Sequence, residues 1–257
     1  MKTRLFKAAV AVALVASAPA WAADLPVKAA PPAVIAPTWT GLYLGANVGY
    51  SAGTSSVGST TNLVGVFTAS LVGASDLSLT GAVGGGQIGY NWQFNPNWLV
   101  GVEVDYDWTG QRGGALFNDP LVAVRETVEA KLNWLATIRA RFGYITGNSL
   151  WYVTGGWADG RRELNTTFTF LVPPTVAGAL NVRSAASGWT VGGGVETKLW
   201  NSNWSAKLEY LHVDLGSLST VTPSFPVGGP PVVIFNTVTT AKFRDEIVRV
   251  GLNYKIW

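Results

Sequence analysis

The chain has 257 residues, 48% of them hydrophobic and 13% charged, with no cysteine and a formal charge of +3. The missing cysteine excludes disulfides, thiolate catalysis and zinc–cysteine sites. Lys2, Arg4 and Lys7 account for the whole surplus of base, since 18 minus 3 leaves 15 bases against 15 acids, so a basic face for nucleic acid does not survive if that segment is cut away.

Residues 1–22 read as a secretory signal: a basic start, an apolar run from Ala8 to Val15, then small residues up to a cut after Ala22. The run is too short for a bilayer, which takes about 20 apolar residues. From 23 to 38, Pro26, Pro31, Pro32 and Pro37 stand among Ala and Val, which suits neither helix nor sheet ladder. This stretch is expected to be an extended periplasmic lead, and contact with peptidoglycan is an expectation on composition alone.

From 39 to 257 the chain alternates. A first strand, 39–50, sets Leu42, Leu44, Ala46, Val48 and Tyr50 against Tyr43, Gly45, Asn47 and Gly49. A Ser/Thr/Gly-rich loop is expected from Ser51 to about Ser78, and a second strand through Trp92. The third, 98–108, is the clearest: Trp98, Val100, Val102, Val104, Tyr106 and Trp108 on one face, Gly101, Glu103, Asp105 and Asp107 on the other. After a loop centred on Asn118, Asp119 and Pro120, the fourth is expected to carry Ala130, Leu132, Trp134, Ala136, Ile138, Ala140, Phe142 and Tyr144 outward. Glu129, Lys131, Asn133, Arg139 and Arg141 then face inward. The fifth, about 150–158, is apolar on both faces and its register stays open. The sixth (189–200), seventh (204–212) and eighth (245–257) alternate again, with Glu196 and Lys198, Lys207 and Glu209, and Arg249 inward.

Three short polar turns, 92–98, 144–151 and 200–204, are framed by aromatic residues, while the other four connections are roughly 15 to 30 residues long. Hydrophobicity spread by alternation, with no helix-like apolar run after the signal, describes an all-β fold: an eight-stranded antiparallel transmembrane barrel. Short turns lie at the periplasmic rim with both chain ends, and long loops lie outside the cell. Trp39, Trp92, Trp98, Tyr144, Trp200, Trp204 and Tyr254 are expected to form a periplasmic aromatic girdle, with Tyr50, Trp108 and Tyr210 toward the other rim.

The segments Ala23-Asp24-Leu25-Pro26, Trp39-Thr40-Gly41-Leu42-Tyr43-Leu44-Gly45, Asn91-Trp92-Gln93 and Val248-Arg249-Val250-Gly251-Leu252-Asn253-Tyr254-Lys255 resemble the small porin-like outer-membrane proteins of alphaproteobacteria, the Omp25/Omp31 group. The resemblance covers nearly the whole mature chain. It implies a bacterial outer-membrane location and a role as envelope component and surface antigen, or hemin binding in some members. The chain departs from the family's usual ending, Asn-Tyr-Lys-Phe, by closing on Lys255-Ile256-Trp257.

Chemistry-bearing patterns are few. Gly84-Gly85-Gly86-Gln87-Ile88-Gly89 satisfies G-x-G-x-x-G but precedes Tyr90, Asn91, Trp92 and a turn, with no helix to aim at a pyrophosphate, so strand glycines explain it better. His212, the single histidine, lies near Asp214 and Tyr210, where a rim residue is the simpler reading than a base or a heme ligand. No catalytic, cofactor or metal residues are assigned, and no enzymatic activity is expected. Loop charges of both signs cancel, so lipopolysaccharide contact is expected only as for any barrel in that membrane, alongside lipid and the assembly machinery.

The inward charges say more. Glu103, Arg139, Glu196, Glu209 and Arg249 fall at similar heights, Arg141, Lys198 and Lys207 one layer nearer the tight turns, and Asp105 one layer above. An eight-stranded interior is just wide enough for side chains to fill it, so these groups are expected to pair and plug the lumen. The alternatives are a narrow wet pore and a hemin or ligand receptor. Truncating Arg139 or Glu103 should make a plug leak, whereas a pore should only change selectivity.

Overall fold

The computed structural model describes residues 38–64, 69–119, 124–170, 177–200, 202–221, 225–227 and 233–256, all within the second of two units, Pro37–Trp257. The signal, the lead up to residue 37, the tip at Asn201 and the terminal Trp257 lie outside the described residues. Strands β1 (Gly41–Val64), β2 (Ala69–Asn95), β3 (Trp98–Asp119), β4 (Val124–Thr146), β5 (Ser149–Phe170), β6 (Ala177–Lys198), β7 (Trp204–Val221), β8 (Phe225–Val227) and β9 (Val233–Lys255) follow in order. Each pairs antiparallel with its neighbour, and β1 closes on β9. Eight strands make the wall, and three-residue β8 rides on the start of β9.

The outside is the apolar side. On β3, Val102 and Val104 are exposed while Glu103 and Asp105 are buried, the inverse of a water-soluble protein. Only a closed barrel can satisfy every backbone group in lipid while doing this. Trp92, Trp98, Tyr144, Trp151, Trp204 and Tyr254 ring the wall near the tight turns, with Trp98 against Tyr144 at 4.8 Å and Trp204 against Tyr254 at 5.0 Å. Tyr50, Trp108, Trp157, Trp189 and Tyr210 ring it at the other end of the apolar band. Such rings mark the two headgroup zones.

The long connections are built differently from the loops expected of the sequence. Seven of the wall strands run 22 to 27 residues and β7 runs 18, where about 9 to 11 suffice to span the membrane. Ser51 to Val64 and Ala69 to Ser78 continue β1 and β2 in unbroken register instead of forming a loop. The wall therefore rises well beyond the upper aromatic ring. What sustains it is a second interior: Val57, Leu77, Leu79, Val128, Leu132, Leu164 and Leu218 point inward and are buried together.

On β4 the facing changes. Below Asn133, Leu135, Thr137, Arg139 and Arg141 point inward; above it Leu132, Ala130, Val128 and Glu126 do. The register slips between Leu132 and Trp134 against β5, so Asn133 is an extra residue that reverses the parity of the upper half. Leu132 and Ala130 therefore face inward, not outward, and Glu129 and Lys131 pair at 2.9 Å on the outer wall. Leu215 is another extra residue, on β7, next to Gly216 with φ 70°. In β5, Tyr152, Thr154 and Ala158 face inward and Trp151, Val153 and Trp157 outward.

The turn from β4 to β5 has two residues, Gly147 and Asn148, with Gly147 at φ 59°. Such turns match the twist of the flanking strands when the first residue is left-handed, which only glycine adopts freely. Gly147→Val is expected to cost about 1–2 kcal/mol, read as a lower urea midpoint for the refolded barrel.

Candidate functional site

The polar interior lies at the height of the membrane, and its charged residues stand on β3, β4, β6, β7 and β9. Glu103 and Arg139 are directly opposed across β3 and β4, as are Glu209 and Arg249 across β7 and β9, so the strand register itself delivers the pairs. Arg139 sends Nη2 to Glu103 Oε1 (2.5 Å) and Asp105 Oδ2 (3.0 Å), Nη1 to Glu209 Oε1 (3.0 Å) and Nε to Thr137 Oγ1 (3.0 Å). Arg249 sends Nη1 to Asp105 Oδ1 and Asp107 Oδ2, both at 2.7 Å, and Nε to Glu209 Oε2 at 2.7 Å. Lys207 Nζ donates to Glu103 Oε1 at 3.0 Å. Both arginine side chains are fully removed from solvent.

Nearer the periplasmic end, Arg141 lies between the rings of Tyr43 (4.9 Å) and Tyr152 (5.0 Å) and donates to Glu196 Oε2 (3.1 Å) and Asn91 Oδ1 (2.8 Å). The two phenols are tied in turn: Tyr43 Oη donates to Glu103 Oε2 (2.7 Å) and Tyr152 Oη to Glu209 Oε1 (3.0 Å). A chain of amides, Asn47 to Gln87 to Asn253, ends on Glu196 Oε1. These bonds supply what buried ions need beyond their counter-charge, namely partners for the remaining lone pairs and protons.

Eight of the nine residues expected in the network thus come together: Glu103, Asp105, Arg139, Arg141, Glu196, Lys207, Glu209 and Arg249. Lys198 instead reaches the backbone carbonyl of Thr38 (3.1 Å) and lies over the Trp39 ring (4.9 Å) at the periplasmic mouth, because it is the last residue of β6. Trp39 departs from the girdle. It is buried inside the mouth with Leu99, Ile145, Leu150 and Tyr152, since it precedes β1 and turns under the barrel before the wall begins. Trp92, Trp98, Tyr144, Trp204 and Tyr254 are on the outer wall, and Trp200, 90% exposed, projects from the turn.

Sequence reasoning missed Tyr43, Tyr152 and the amide chain as members, because an inward Tyr or Asn reads as filler until its partner strand is known. It placed Asp107 inward without assigning it a partner. Asp107 makes five acids against four bases, and its Oδ1 is buried without a hydrogen bond. Asp107→Asn is therefore expected to be the one acid-to-amide change in this group that does not lower stability, by urea unfolding in lipid vesicles. Glu126 and Arg162, which fall between the expected strands, also lie inside the upper storey, as does Asp245 at the start of the expected eighth strand. Among the described residues no group of three or more His, Asp or Glu is arranged to hold a metal.

A family model described as the outer membrane protein beta-barrel domain matches residues 8–255. The 31 kDa outer-membrane immunogenic protein of Brucella melitensis is 34% identical over 248 residues, covering 92% of this chain and 93% of that one. The 25 kDa outer-membrane immunogenic protein of Brucella abortus is 28% identical over 252 residues, covering 93% and 92%. Among solved structures, neisserial surface protein A is 12% identical (TM-score 0.37; 84% of this chain, 98% of that), and OprG of Pseudomonas aeruginosa is 10% identical (TM-score 0.43; 84% and 97%).

Proposed function

The chain belongs to the outer-membrane β-barrel family and resides in the bacterial outer membrane, and within that family we propose that it is a structural, surface-displayed barrel whose lumen is closed. The observation that carries this reading is the filling of the interior at three heights. Trp39 and its apolar neighbours occupy the periplasmic mouth, the ion network the membrane zone, and the apolar cluster the storey above. A narrow pore would need water beside its charged groups, and Arg139 and Arg249 have no exposed side-chain surface. The non-enzymatic role and the display of the upper storey as antigen are in keeping with the names of the relatives. Membrane lipid would hold the two aromatic rings, and lipopolysaccharide phosphates would meet Arg112, Arg161 and Lys131 above the upper ring. The assembly machinery, and peptidoglycan through residues 23–38, complete the proposed partners.

Planar-bilayer recordings on refolded protein test the closed lumen. The expected trace shows no steps above baseline, and steady single-channel openings from the unmodified chain would overturn the reading. A hemin receptor is supported less well, because Glu246 on the outer wall already engages both Tyr210 Oη and His212 Nδ1.

A further inference from the structure

Arg162 is buried inside the apolar storey, 4% exposed, on the inner face of β5. Its cross-strand neighbour is Leu132, its guanidinium lies 5.2 Å from the Phe243 ring, and its Nη1 donates to the carbonyl oxygens of Leu215 (3.2 Å) and Gly216 (3.3 Å). Carbonyl dipoles do not neutralise a cation. Glu126, on the neighbouring strand and the same inner face, stands six positions further from the membrane, about 20 Å along β4. Asp245 is closer but has its oxygens engaged by Ser51 and Gln111. Burial alone, with no carboxylate to offset it, weakens the hold of Arg162 on its proton. Most tellingly, Nε is buried with no hydrogen-bond partner at all.

A guanidinium presents two parallel N–H groups along its Nε–Nη2 edge, and that fork matches the two oxygens of a carboxylate. Here the Nη1 side is used on the β7 bulge while Nε is unspent. Three apolar side chains stand beside it, Leu132, Leu215 and Phe243, each no more than 5% exposed. We propose that Arg162 is the receptor, inside the extracellular storey, for the carboxylate of an amphipathic small molecule whose apolar body parts Leu132, Leu215 and Phe243, which meet around the group in this structure. A polyanion would meet one cation with the Asp245 carboxylate in the same interior, and a halide would use the charge but not the fork. The proposal does not depend on whether the lumen conducts ions, because the ligand would stop above the ion network.

The test is a titration of the refolded full chain in lipid nanodiscs with hexanoate labelled at the carboxyl carbon, followed by its ¹³C shift, with hexanol and chloride as competitors. The expected result is a saturable shift, with half-saturation moved at least tenfold upward in Arg162→Lys and no competition from chloride. Arg162→Lys keeps the charge, and heat-modifiable gel mobility checks that it folds. Arg162→Met should abolish the shift. Absence of saturable binding to the unmodified chain, equal binding by Arg162→Lys, or displacement by chloride or hexanol as effective as by unlabelled hexanoate would each overturn the proposal.

Discussion

Arg139→Ala is expected to lower the unfolding free energy of the barrel by about 3–5 kcal/mol, the usual cost of stripping one partner from a buried ion cluster, and yet to leave the bilayer silent. The size of the loss follows from how many groups lean on this one side chain. Glu103, Asp105 and Glu209 each lose a charge-assisted hydrogen bond, and Glu209 and Asp105 are left to share Arg249. Removing a single partner leaves the other charges buried, which costs more than never having built the pair. The silence follows from the storeys above and below. The sequence alone suggests that a broken plug leaks, but here an ion passing the gap at Arg139 would still face Leu79, Leu132, Leu164 and Leu211 on one side and Trp39 on the other. Urea titration in vesicles and conductance on the same preparation separate the two effects. Stepwise current from Arg139→Ala would show that the apolar storey is no seal.

Why the membrane half of this barrel was legible and the upper half was not can be seen on single strands. On β3 every second residue from Trp98 to Trp108 is apolar because lipid tolerates nothing else, and on the opposite face Glu103, Asp105 and Asp107 are charged because the partner strands supply counter-charges. A two-sided constraint of that kind writes itself into period two. Above the upper ring both faces lose their sharpness. The outside meets water and carries Thr54, Arg112, Glu129 and Asp159, while the inside carries Ser51, Gln111 and Asp245 beside Leu132 and Leu164. Polar residues on both faces read as loop, although ladder pairing continues through them. Trp39 was misplaced for a related reason: an aromatic residue next to a strand looks like a girdle residue, and only the approach of the chain under the barrel shows that it turns inward.

The reversal at Asn133 gives the sharpest test of that account. Strict alternation from Tyr144 backward puts Leu132 in contact with the outside and Lys131 in the lumen, whereas the extra residue exchanges them. The two arrangements predict opposite outcomes for neighbouring truncations. With Leu132 inward, its Cδ1 and that of Leu215 close over Gly160 so tightly that a Cβ there would stand 3.2 Å from the one and 3.0 Å from the other. Leu132→Ala then opens a cavity that the wall cannot collapse to fill, and a loss of about 2–5 kcal/mol is expected. Lys131→Ala removes only a surface pair with Glu129, and its effect is expected within about 0.5 kcal/mol. Urea midpoints for the two variants decide the matter, and a larger loss at Lys131 than at Leu132 would return β4 to unbroken alternation. The consequence reaches beyond one strand, because Ala130, Val128 and Glu126 take their facing from the same extra residue. If Leu132 proves to lie inside, the apolar storey that closes the lumen and surrounds Arg162 depends on a bulge, and a sequence that kept perfect alternation could not have built it.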